Sequence, residues 1–357
     1  MATVSMEGAV RAARAEMPTT YDAALKATFP QGMSLRIVAR SGKAAVPGGR
    51  YPWHAAPDGG ACFAAPGGGW IYVSNSEVPG RRGGAGALRF DAGGAVVDSY
   101  PVLEGTSVNC AGGKTPWGTW LSCEESGDFG LVHECDPLGV KPAVVRPGLG
   151  AFSHEAAAID PATGIAYLTE DRPDGCLYRF VPQAPGDLST GRLEVAMRED
   201  HRLTWTRIPD PTGMTAPLRR QVAGAALFSG GEGIVYTAGK IFFTTKGDNR
   251  VWAHTLAGGE LAVIYDARVA PHPILRGVDN IEVSPSGELL IAEDGGDMQI
   301  VGLGRDFTPY PLVMLHGQDN SEIAGPAFSP DGKRLYFSSQ RGPEGRSEDG
   351  ITYELTL

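Results

Sequence analysis

Charge is scarce in this sequence: only 20% of its 357 residues are Asp, Glu, Lys or Arg. The charge that is present leans acidic, with 41 Asp and Glu against 31 Lys and Arg for a formal −10. That balance argues against a nucleic-acid backbone as the main partner, because neutralising phosphates calls for a basic surface. Long apolar runs are also missing. No stretch approaches the roughly 18 to 20 apolar residues of a membrane span, and the opening MATVSMEGAVRAARAEMP lacks the apolar core of a secretory leader. No membrane association is therefore expected. Cysteine is sparse, and Cys62, Cys110, Cys123, Cys135 and Cys176 contain no CxxC pair, so zinc-finger spacing is excluded and an odd number leaves at least one thiol outside any internal disulfide.

Glycine and proline, by contrast, are plentiful at 50 and 27 residues, amid 42% hydrophobic residues. Without a Gly-X-Y period, that mixture predicts many short strands joined by turns. One unit recurs six times: a glycine turn, five to seven apolar or alternating residues, then a polar or acidic end. The copies are GGGWIYVSNSE, TPWGTWLSCEE, PATGIAYLTED, TAGKIFFTTKGD, PSGELLIAEDGG and PDGKRLYFSSQRG. Their turn glycines, Gly69, Gly118, Gly164, Gly239, Gly287 and Gly332, are 49, 46, 75, 48 and 45 residues apart, close to the period of four-stranded propeller blades. The sequence therefore predicts an all-β, six-bladed β-propeller forming one domain over residues 1–357. The long interval predicts a surface insertion at 181–228, and the composition of MEGAVRAARAEM and TTYDAALKATF predicts a helical extension within residues 1–30.

Four units carry a carboxylate before the turn: Glu155, Glu232, Asp279 and Glu322, at 9, 7, 8 and 10 residues from the turn glycine. The start of a hairpin's first strand and the end of its second lie at the same end of the sheet. If the first strands are innermost, these acids meet around the axis, with Cys123, Glu124, Glu170, Lys246, Glu293 and Arg341 expected beside them. Clustered carboxylates repel unless cations lie among them. All-oxygen positions suit Ca²⁺, whereas a thiolate such as Cys123 suits a transition metal, iron or zinc. His154, on the opposite side of its strand from Glu155, is expected to be structural.

These segments, in the order TPWGTWLSCEE, FSHEAAAIDPATGIAYLTED, GEGIVYTAGKIFFTT, DNIEVSPSGELLIAEDG and SEIAGPAFSPDGKRLYFSSQRG, resemble the PhoX-type alkaline phosphatases. The resemblance implies a metal-dependent hydrolase that cleaves phosphate monoesters with a cluster of Ca²⁺ and Fe³⁺. It assigns Cys123 to iron, Glu124 to calcium, and Glu155, Glu232, Asp279 and Glu322 to both. It sets Asn75 of SNSE near the phosphate. The arginines expected beside the motif acids are replaced by Gly230 and Gly231 before Glu232 and by Asn280 and Ile281 after Asp279, so Lys246 and Arg341 are the expected phosphate contacts. The expected partner is a small-molecule phosphate ester, and the chain is expected to be a monomer. The twin-arginine leader of the family is not in this sequence, which implies a periplasmic or secreted protein if a leader was removed and a cytoplasmic one otherwise. A calcium-dependent lactonase of the same architecture, or a non-catalytic metal-binding propeller, are the competing readings.

Overall fold

In the computed structural model, which describes residues 18–270 and 273–357, every one of the six turn glycines has a positive φ, between +68° and +86°. Side chains with a Cβ rarely adopt that conformation, and glycine supplies it without steric cost. Each of these glycines joins the first two strands of an antiparallel sheet. Blade 1 comprises Pro57–Ala64, Trp70–Ser76, Gly83–Phe90 and Val96–Thr106. The hairpins that open blades 2 to 6 are Asn109–Lys114 with Trp120–Glu124, His154–Ile159 with Ala166–Glu170, Gly231–Thr237 with Lys240–Thr245, Val278–Val283 with Leu289–Glu293, and Ile323–Phe328 with Arg334–Ser339. The first strands of successive blades touch in turn, and the sixth returns to the first. The expected six-bladed propeller is what forms.

Closure uses the N-terminal side of the chain. Ser34–Arg40 pairs with Ile351–Thr356 as the outermost strand of blade 6, so the last blade is completed by an early segment. The helix expected over TTYDAALKATF is instead a hairpin, Thr19–Asp22 with Ala27–Pro30, which extends blade 5 through Leu315 and Met314. Its Thr, Tyr and Phe residues favour strands, and Lys26 turns the chain at φ 49°. The part of the expected extension within residues 1–17 lies outside the described residues. Much of the 181–228 segment is also sheet. Gly191–Glu199 and Arg202–Arg207 are the fourth and fifth strands of blade 3, and the connections are residues 183–190 before them and the longer stretch after them.

Apolar residues fill the gaps between blades. Six buried clusters each bridge two neighbours, for example Leu121, Val132 and Leu168 between blades 2 and 3 and Leu290, Ile300 and Phe337 between blades 5 and 6. Blades covered on both faces explain why the second strands read as continuous apolar runs instead of alternating ones. Around the axis the packing is tighter and the residues smaller. A Cβ at Gly113 would lie 1.9 Å from the Ala157 carbonyl oxygen, one at Gly233 would lie 2.6 Å from the Ile281 nitrogen, and one at Gly325 would lie 2.5 Å from the Asp58 carbonyl oxygen. Glycine is required here for close approach of backbones. The inner strands surround a central cavity of about 470 Å³. Gly113→Ala is therefore expected to destabilise the fold by about 2 kcal/mol or more, read as a lower urea midpoint.

Candidate metal centre

The inner strand of every blade carries a register shift near its start. In blades 1 to 5 the pairing skips between Pro57 and Gly60, Asn109 and Gly112, His154 and Ala157, Gly231 and Ile234, and Val278 and Ile281. A bulge leaves residues out of the ladder and re-aims their side chains. The first residue freed is Asp58, Cys110, Glu155, Glu232 and Asp279 in turn. Blade 6 has its shift one step later, between Ala324 and Ala327, and supplies Glu322 from just before the strand. A second ring follows from the outgoing strands: the residue immediately after each is Glu77, Glu125, Asp171, Lys246, Asp294 and Gln340. The structure thus brings four of the expected acids together and adds acids and a thiol that sequence reading missed.

Ligand-capable atoms approach within 4.8 Å of one another in four overlapping groups: Glu77, Cys110 and Glu125; Asp58, Glu77 and Glu322; Glu155, Glu232 and Asp279; and Asp279, Asp294 and Glu322. The inner acids are buried and the outer ones partly exposed, so the crown opens to solvent on one side. Among the described residues, neither oxygen of Glu155 has a hydrogen-bond donor. Two cations enter from the rim. Lys246 Nζ lies 2.9 Å from Asp294, 3.1 Å from Glu232 and 3.8 Å from Asp279, and Arg341 lies 3.3 Å from Glu322.

Burial and mutual repulsion raise the proton affinity of these acids. Burial, then Glu232 and Asp279, push the Glu155 carboxyl well above its usual range. Burial raises Asp279 to about 7 although Lys246 pulls it down, and burial with Asp171 and Glu77 raises Glu125 to about 8. Asp294 goes the other way: burial is outweighed by its hydrogen bond to Glu322 and by Lys246. Unpaired buried carboxylates signal a missing positive charge. The donor set, many oxygens and one sulfur, fits cations, with the oxygen positions suited to a hard ion and Cys110 to a softer one.

Five of the residues expected at the site take other roles. Cys123 is fully buried among Leu121, Val132, Leu149 and Phe152, and it belongs to none of the four ligand groups among the described residues. Glu124 turns its carboxylate to the backbone N–H groups of Ser107 and Leu131, with His133 3.3 Å away. Glu170 and Glu293 do the same work in their blades, accepting from Cys176 and from Arg276 and Gln299. These last residues of the second strands tie down the turn to the third strand, and the next residue faces the axis, so the correction is one residue: Glu125, Asp171 and Asp294 replace Glu124, Glu170 and Glu293. Asn75 is buried with its amide fully used. Its Nδ2 donates to the Cys110 and Ala111 carbonyls at 3.1 and 2.7 Å, and its Oδ1 accepts from Trp120 and Ser122. It holds the next blade's bulge and has no group free for phosphate. Thr169 and Thr244 make the equivalent links at 2.5 Å, to the Glu232 and Asp279 carbonyls. His154 is structural as expected, donating 2.9 Å to the Gly150 carbonyl and stacked on Phe152.

The site is thus a crown of acids and one thiol on the axis of a bulged six-bladed propeller. The family model for alkaline phosphatase PhoX matches residues 67–263 and 248–342, and the chain belongs to that family. Among solved structures, Pseudomonas fluorescens PhoX in complex with vanadate, a transition state analogue, superposes with a TM-score of 0.76 at 16% identity, covering 95% of this chain and 97% of that one. A gluconolactonase from Xanthomonas campestris, XC5397, gives 0.52 at 15% identity with 96% of both chains covered. A Bacteroides thetaiotaomicron protein of unknown function gives 0.56 at 10% identity, over 92% of this chain and 77% of that one. At these identities the likeness is one of fold. Comparison with curated proteins returns no match.

The raised acids set the pH response of the metal-free chain. Asp279 at about 7 and Glu125 at about 8 exceed their ordinary 3.8 and 4.5, so between those values the unfolded chain binds fewer protons than the native one and stability falls as pH rises. In chelator, the melting temperature is expected to decline from about pH 4 to about pH 8, and added calcium is expected to flatten that decline.

Proposed function

We propose that this chain hydrolyses phosphate monoesters at the open side of the crown, with calcium held by the carboxylates and iron at the Cys110 end. The observation that carries this reading is Glu155, a fully buried carboxylate with both oxygens bare, set in the axial ring of a PhoX-family chain. When bound, such cations supply Lewis-acid polarisation of a phosphoryl oxygen and neutralise charge gathering in the transition state. The protein's own contribution is placement. The bulges aim Asp58, Cys110, Glu155, Glu232 and Asp279 at one axis, and Asn75, Thr169 and Thr244 hold the backbone that carries three of them. Arg341, with a third of its side chain exposed and its guanidinium beside Glu322, meets a phosphate at the mouth and donates to its non-bridging oxygens.

Turnover of p-nitrophenyl phosphate by the metal-loaded chain is the test. Glu155→Gln is expected to abolish activity, and Arg341→Ala is expected to raise KM roughly ten- to hundred-fold, the worth of a hydrogen bond to a charged group. Hydrolysis of a lactone in place of the phosphate ester, with calcium bound and no iron, would instead support the lactonase reading. The two cysteines give a separate check by elemental analysis. Cys110→Ser is expected to lose iron and to melt like the wild type once both are in chelator, whereas Cys123→Ser is expected to keep its metals and to melt below wild type even in chelator, because it puts a hydroxyl into an apolar cluster.

A further inference from the structure

We propose that Lys246 is a tethered cation occupying one of the crown's positions, so that this chain holds one divalent ion fewer than its carboxylates would otherwise take. The inference rests on the crown being a metal centre, as proposed above. Its starting point is register. In the outer ring, blades 1, 2, 3 and 5 present Glu77, Glu125, Asp171 and Asp294, and blade 4 presents Lys246 at the same point. Its side chain folds inward. Nζ is 2.9 Å from Asp294 Oδ2, 3.1 Å from Glu232 Oε1 and 3.8 Å from Asp279 Oδ2, three acids from two blades.

That point is the junction of two ligand groups. Glu155, Glu232 and Asp279 form one, and Asp279, Asp294 and Glu322 form the other, sharing Asp279. A single ammonium there serves both, at distances longer than the roughly 2.3 to 2.6 Å of calcium to oxygen and with half the charge. A phosphate-gripping lysine would turn its donors toward the opening, whereas this one turns them toward carboxylates. The other half of the crown has no such occupant: among the described residues no ion pair reaches Glu125 or Glu155, while Lys246 pairs with Glu232, Asp279 and Asp294, and Arg341 stands at the rim beside Glu322. Ions are therefore expected on the side of Cys110, Glu125 and Glu155.

The test uses the full chain as wild type, Lys246→Met and Lys246→Arg. Calcium is titrated calorimetrically after chelation, with bound metal counted by elemental analysis and metal-free melting temperatures recorded. Lys246→Met is expected to bind one more calcium per chain, with affinity for the added site at least roughly tenfold above any the wild type shows there, because ligand charge tunes calcium affinity. Its melting temperature without metal is expected to fall below wild type and to recover with calcium, and if it folds only with calcium present, the count is taken on the refolded protein. Lys246→Arg is expected to keep the wild-type count. An unchanged count in Lys246→Met, with a raised KM for p-nitrophenyl phosphate, overturns the proposal and makes Lys246 a phosphate contact. Metal in the wild type with no gain in the variant sinks this inference alone. Calcium in the variant but not in the wild type supports it and sinks the metal reading of the native chain, and calcium in neither sinks both.

Discussion

Like charges forced together at the axis are the constraint around which this molecule is organised. Two ionised carboxylates 4.8 Å apart repel by about 3 kcal/mol at an effective dielectric of 20, and the crown holds several such pairs. Nothing local would keep them there. The inner acids Asp58, Glu155, Glu232 and Asp279 stay because each sits in a bulge of a strand that is itself locked on both sides, and Glu322 stands just before such a strand. The glycine contacts let neighbouring inner strands approach to backbone distance, and Asn75, Thr169 and Thr244 bond across the blade boundary to the carbonyls at or beside Cys110, Glu232 and Asp279. Closure of blade 6 by Ser34–Arg40 fixes the ring as a whole. Repulsion is thus stored in a frame too stiff to relax, and cations are what discharge it.

The blades repeat a division of labour between adjacent residues. At the end of the second strand, Glu124, Glu170 and Glu293 satisfy backbone donors at the turn to the third strand, and of the residues that follow, Glu125 and Asp294 enter the ligand groups while Asp171 stands close enough to raise the proton affinity of Glu125 and Glu232. Two consecutive acids look redundant in sequence, yet they point to different places because the strand's two-residue alternation sends them to opposite sides. The triplet CEE is divided three ways: Cys123 belongs to the apolar layer between blades, Glu124 to the turn, and Glu125, past the end of the strand, to the crown.

The scaffold was legible because its signal is a backbone requirement repeated six times. A glycine at positive φ in every opening hairpin leaves a mark that survives divergence in everything around it, and Glu155, Glu232, Asp279 and Glu322 stand at nearly constant distances from it. Register within two residues was not legible, since the bulges that aim the ligands have no residue signature of their own. Cys110 lies 8 residues before Gly118, inside the spacing of the four acids, and asking which residue of any metal-binding type occupied that slot would have found it. Asp58, 11 residues before Gly69, falls outside because its strand, Pro57–Ala64, runs eight residues where the inner strands of the other blades run six or seven. Thr19–Pro30 was misread for another reason: its Ala, Leu and Lys content favours a helix, but pairing with the edge of blade 5 supplies hydrogen bonds that local propensity does not anticipate.

The crown's charge is unevenly spread, and this asymmetry gives the face a direction. Blades 4 to 6 bring both cations, already matched to Glu232, Asp279, Asp294 and Glu322. Blades 1 to 3 bring the thiol, the bare Glu155 and the half-exposed Glu125, and among the described residues no ion pair reaches these two acids. Protein-borne cations pin the acids on one side whether or not metal is present, while the other side depends on what it binds. For the anionic ester proposed as substrate, this uneven charge would bias its orientation at the mouth. A ring symmetric in backbone thus becomes directional in charge through two side-chain exchanges: Lys246 in a slot that four blades fill with acid, and Arg341 beside the slot where blade 6 carries Gln340.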